Sequence, residues 1–195
     1  SITTLTAGDV LVGAVTAADE LVTITSAGAI NDADLTDDVD ITAATIDLNA
    51  VDGIGNTADL EVTGTTISAD TTNGDINLNS LATGAVAVAV TSITTGTGDI
   101  ALVQTGNESL TVTLATTGDG DIAITSTGDA DTDVLTVTQA TAGTDGNISI
   151  TTLTAGDVLV GAVTAADELV TITSAGAIND ADLTDDVDIT AATID

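Results

Sequence analysis

Four stretches of the chain share one pattern: a Gly, then Asp or Asn, then Ile, then apolar residues at alternate positions. They are Gly74-Asp75-Ile76, Gly98-Asp99-Ile100, Gly120-Asp121-Ile122 and Gly146-Asn147-Ile148, with a degenerate form at Gly176-Ala177-Ile178. About a dozen residues after a Gly of this kind comes a second alternating run: Val86-Ala87-Val88, Leu110-Thr111-Val112, Leu135-Thr136-Val137 and Val158-Leu159-Val160. Alternation with period two in segments rich in Val, Ile and Thr predicts strands with their aliphatic residues on one face. No stretch carries the 3.6-residue period of a helix.

The glycines step by 24, 22, 26 and 30 residues, a spacing that fits one coil of a solenoid. Ser1 to Asp47 then recurs unchanged as Ser149 to Asp195, an offset of 148 residues. The predicted fold is all-β: a right-handed parallel β-helix, or β-solenoid, of about 25-residue coils, roughly six to each 148-residue repeat. Residues 1–148 form one full tandem repeat, and 149–195 begin the next identical one, continuous with the first. An unchanged copy of this length predicts an internal fragment of a longer array. Gly suits a corner where the chain bends tightly, and Asp or Asn beside it suits turn hydrogen bonds. Six coils at a strand spacing of roughly 4.8 Å advance the axis by about 29 Å. The competing architecture is an array of immunoglobulin-like sandwiches. Against it stand the missing aromatics and prolines and the Gly-Asp-Ile phase within one repeat.

Composition sharpens this picture. The chain has no Lys, Arg, His, Cys, Met, Pro, Phe, Tyr or Trp, so its core must be aliphatic. A net charge of −31 arises wholly from carboxylates, which must be solvated, hydrogen-bonded or matched by an external cation. Nucleic acid is excluded as a direct partner, because phosphate binding draws on Lys and Arg. Disorder is disfavoured by 43% hydrophobic residues and a mean hydropathy of +0.45. Every apolar run falls far short of the roughly 20 residues a membrane-spanning helix needs, so membrane insertion is not expected.

The Gly-Asp-Ile-x-Ile/Leu phase of residues 74–78, 98–102 and 120–124 resembles the filamentous haemagglutinin-like repeats of giant secreted bacterial exoproteins. Most of the chain follows this phase, while Val51 to Thr72 departs from it. The resemblance implies a secreted or cell-surface parallel β-helix acting as a fibre or adhesin. The shared pattern is scaffold, so it carries over no binding residue.

Catalysis has little material, since no imidazole, thiol, amine or guanidinium is present and only carboxylates and hydroxyls remain. The chain reads as no enzyme, and no cofactor is required. Ca2+ is the one candidate ligand, because hard cations take clustered carboxylate oxygens at turns. The candidate ligands are Asp129, Asp131 and Asp133; Asp119 with Asp121; and Asp32, Asp34 and Asp37, with Asn31, Asp38 and Asp40 beside them. The first group resembles the opening of an EF-hand loop, but Val134 stands where its Gly belongs and Ala140 where its closing Glu belongs. The competing reading is of solvated turn carboxylates that keep a fibre soluble.

Three surface features complete the inventory. Thr pairs at 23 and 25, 111 and 113, 136 and 138, and 171 and 173 resemble the faces of ice-binding solenoids, although Thr is also a good exposed strand residue. Asn107 and Asn147 head sequons of the N-glycosylation type. Ala85, Ala87 and Ala89, expected to point outward, would form a small apolar stripe for lateral association with a neighbouring solenoid. The expected function is therefore a structural segment of an extracellular fibre that self-associates. The alternatives are the stalk of a giant adhesin with calcium-stabilised repeats and an ice-binding adhesin.

Overall fold

The structure is a computed structural model that describes residues 1–82, 86–128, 130, 132–184 and 186–195. Among these residues nineteen strands form one continuous sheet, no helix occurs, and every strand pairing is parallel. The chain is a parallel β-solenoid of about eight turns with coils of roughly 23 residues.

Each coil contributes one stretch to each of two walls. In the first wall Ile24, Leu48, Ala69, Ile93, Ala115, Ala140 and Val163 stack in register. In the second, Ile54, Ile76, Ile100, Ile122, Ile148 and Val170 do the same. All thirteen side chains are buried, and further aliphatic columns stack beside them, as in Ile46, Ile67, Val90, Val112 and Val137. Alternation produces this directly: in the strand Ile100–Gly106, Ile100, Leu102 and Gln104 are buried while Ala101 and Val103 between them are half-exposed. The 51–72 stretch, which lacks the Gly-Asp-Ile phase, continues the same ladders through Ile54 and Ile67.

The coil is shorter than the glycine spacing suggested. Partners in the second wall step by 22, 24, 22, 26 and 22 residues from Ile54 to Val170. At roughly 23 residues per coil, 148 residues make about six and a half coils rather than six. The half coil moves identical residues to opposite walls. Ile24 lies in the first wall between Ile2 and Leu48, whereas its copy Ile172 pairs with Ile150 in the second. Likewise Val10 pairs with Ile30 on the ladder that leads to Ile54, but its copy Val158 pairs with Leu135 of the first wall.

The motif glycines have a different cause from the one expected. Gly74, Gly98, Gly120 and Gly146 do not adopt the left-handed conformation. Instead, a Cβ on Gly98 would collide with the backbone of Gly74, one on Gly120 with Gly98, and one on Gly146 with Gly120. Coils touch backbone to backbone at this corner, and only hydrogen fits between them.

Strand pairing runs through the junction between repeats. The strand Ile148–Thr152 pairs with Ile122–Ser126 behind it and with Asp157–Thr173 ahead of it. One expectation for the surface changes. Val86, expected inside, is 59% exposed because the strand begins at Val88. Of the expected alanine stripe, Ala85 lies outside the described residues, Ala87 is exposed, and Ala89 is half-buried between Thr66 and Thr111 of the adjacent coils.

Candidate metal centre

The acidic loop 33–40 interrupts the second wall between the strands Ala29–Asp32 and Ile41–Ala50. Local hydrogen bonds set its shape. Asp32 Oδ1 accepts the Asp34 N–H at 2.9 Å, and Asp34 Oδ1 accepts both the Thr36 N–H at 3.2 Å and the Thr36 hydroxyl at 2.7 Å. Between them Leu35 adopts a left-handed φ of 60° and stays exposed, a conformation bulky residues seldom take. The identical loop at 181–188 repeats these features: Leu183 has φ 61°, and Asp182 Oδ1 accepts the Thr184 N–H at 2.9 Å. A turn built the same way in two different walls is dictated by its own sequence.

At the base of the first loop three acids meet. One carboxylate oxygen from each of Asp32, Asp40 and Glu61 lies within 4.8 Å of the others, and the three residues are only 2%, 3% and 3% exposed. Asp32 closes one strand and Asp40 precedes the next, so the loop brings them together. Glu61 arrives from the following coil. It sits between Leu60 and Val62, both fully buried, so alternation turns it away from the core; it is buried all the same. Asp40 and Glu61 are joined across the coils: Asp40 N–H donates to the Glu61 carbonyl at 2.9 Å, and Glu61 N–H donates to Asp40 Oδ2 at 3.0 Å.

This arrangement is electrostatically demanding. Burial pushes the Asp40 carboxyl up to about 6, with Asp32 and Asp34 adding to the rise against the opposing Glu61 amide. Burial also pushes Glu61 up to about 7, reinforced by Asp40, Asp59, Asp32 and Asp37. Asp32 Oδ2 and Glu61 Oε2 are buried and accept no hydrogen bond among the described residues. In the second copy Asp180, Asp182 and Asp188 also cluster within 4.8 Å, but they are half-buried or exposed.

The other sequence candidates fall elsewhere. Asp129 and Asp131 lie outside the described residues. Asp133 is buried, and its Oδ2 accepts the Ala130 N–H at 3.1 Å. Asp119 is exposed, as are Asp34, Asp37 and Asp38. Asp121 is exposed and serves a backbone role, accepting the Asn147 N–H at 2.7 Å. Asn147, a sequon head, uses its own Oδ1 to accept the Leu169 N–H at 3.2 Å. Of the expected Thr pairs, Thr111 and Thr136 are stacked neighbours, while Thr23 adjoins Asp47 and Thr171 adjoins Ser149. A longer threonine column that the sequence reading missed runs through Thr94, Thr116, Thr141, Thr164 and Thr190.

Sequence reasoning named Asp32 and Asp40 but not Glu61. The signal available was a lone acid between two core aliphatics, which in a strand ordinarily means a solvated outward position. Comparison of the chain with protein-family models, with curated proteins and with solved structures returns no match.

Proposed function

We propose that the chain is a length-giving segment of a secreted or cell-surface fibre, non-catalytic and able to associate with neighbouring solenoids. The observation that carries this reading is the parallel pairing through the repeat junction, where Ile148 stacks on Ile122 and then under Val170. A repeat that adds coils without a boundary adds length without adding a new binding domain. Parallel ladders along the axis join each coil to the next, which suits stiffness. The haemagglutinin-like phase of the motif supports an extracellular setting, and the exposed Val86 and Ala87 offer a small apolar contact for a second solenoid.

Cryo-electron microscopy of polymers of the 148-residue repeat tests this reading. The expected result is unbranched filaments with layers of about 4.8 Å and an advance of about 31 Å per repeat, from about six and a half coils. Separate beads, or soluble monomers that never extend, would refute it.

A further inference from the structure

We propose that Asp32, Asp40 and Glu61 bind one hard divalent cation, Ca2+ in preference to Mg2+, held between two successive coils. The inference goes beyond the fibre reading and stands whether or not the chain serves as a fibre. It rests first on geometry. Ca2+ takes carboxylate oxygens at 2.3–2.6 Å, so ligands on opposite sides of one ion stand about 4.6–5.2 Å apart. Three carboxylates with oxygens mutually within 4.8 Å can share such an ion.

Unmet bonding capacity is the second ground. Asp32 Oδ2 and Glu61 Oε2 belong to residues 2% and 3% exposed and accept no hydrogen bond among the described residues. Buried carboxylate oxygens in that state call for a proton or a cation. The third ground is specific to this composition: with no Lys, Arg or His in the sequence, no side chain can supply the positive charge. Ca2+ suits the site better than Mg2+, which dehydrates reluctantly and keeps several waters, because all three residues are more than nine-tenths buried.

The two copies of the loop show what completes the site. Asp180 and Asp188 repeat Asp32 and Asp40, but among the described residues the third acid of their cluster is Asp182 of the loop itself, and the cluster is half-buried or exposed. A buried three-acid site among the described residues thus needs Glu61 from the next coil, and the ion would join coils by drawing ligands from both.

Equilibrium dialysis of the 195-residue chain against radioactive Ca2+ at pH 7.5, in physiological salt with excess Mg2+, tests the proposal. Wild type and Asp119→Asn, a change at an exposed acid outside the cluster, should each retain one Ca2+ site. Glu61→Gln should weaken that site at least ~10-fold, because ligand charge sets affinity. Equal Ca2+ binding by all three proteins, or displacement of the ion by Mg2+, would overturn the proposal. A melting experiment guards against a folding defect. In chelator Glu61→Gln should melt no lower than wild type, and Ca2+ should raise the melting temperature of wild type alone. A wild-type melt indifferent to Ca2+ would equally sink the idea.

Discussion

The carboxylate of Asp99 accepts the backbone N–H of Asp121, its counterpart one coil further along, at 2.9 Å. Asp75 does the same for Asp99 at 2.9 Å, and Asp121 for Asn147 at 2.7 Å. The Asp of the Gly-Asp-Ile motif is thus a link between coils as well as a turn residue. It also solves a problem the stack creates, since exposed carboxylates in successive coils repel one another. In water that repulsion is about 1 kcal/mol at 4 Å, similar to the net gain from one hydrogen bond.

These opposing terms predict an order of stability at position 99. Asp99→Asn keeps the accepting oxygen and removes the repulsion, as Asn147 does naturally, so it should equal or exceed wild type. Asp99→Ala loses the acceptor and should be destabilised by about 1 kcal/mol. Urea unfolding of the three proteins measures this; an Ala variant as stable as wild type would remove the link from the account.

The motif glycine should be even less tolerant. Gly98→Ala places a methyl group against the Gly74 backbone, which cannot move without shifting a whole coil. Overpacking of this kind costs about 1–3 kcal/mol or more. Gly13→Ala meets nothing within 4 Å and should be close to neutral. Thermal melts of both variants check the contrast, and equal effects would mean that the corner is looser than described.

Much of this architecture was legible in the sequence because its signals are local. Ile100, Leu102, Ile122 and Ile124 alternate with polar or small residues, and their regular return gives the stacking. The coil length was overestimated because the 30-residue step from Gly146 to Gly176 reads as one coil, whereas it passes from the second wall, where Ile148 pairs with Val170, to the first, where Ile178 pairs with Val158. The half coil per repeat followed that error, since a count of glycines cannot tell one wall from the other. Glu61 was illegible for a different reason. Its burial depends on a loop twenty residues earlier folding beside it, and no pattern around Leu60 and Val62 records that.

The acidic cluster makes stability depend on pH in a definite direction. Folding raises Asp40 from 3.8 to about 6 and Glu61 from 4.5 to about 7, so the folded state holds these protons more tightly than the unfolded chain. Their contribution is fully present below about pH 4 and is lost as pH rises toward 7. The groups facing them, Asp32, Asp34, Asp37 and Asp59, are all acidic, so no neighbour reverses the sign. In chelator, wild type should lose more stability than Glu61→Gln between pH 5 and pH 8, with the lower limit kept above the sequence pI of 4.1. Parallel curves for the two proteins by calorimetry would show that the cluster does not govern this range.

The half coil has a consequence for any polymer of the repeat. Loop 33–40 interrupts the second wall after Asp32, which pairs with Val12, whereas its copy 181–188 follows Asp180, which pairs with Val160 in the first. Successive loops should therefore project from alternating walls, about 31 Å apart along the axis, with the same wall recurring only every second repeat, at about 62 Å. A short peptide tag inserted after the exposed Leu35 of every repeat can be located by cryo-electron microscopy once the two walls are traced. Tags alternating between walls mean that the structural period is 296 residues, twice the 148-residue sequence period. Tags confined to one wall would require a whole number of coils per repeat, and the pairing of Ile172 with Ile150 would then have to be wrong.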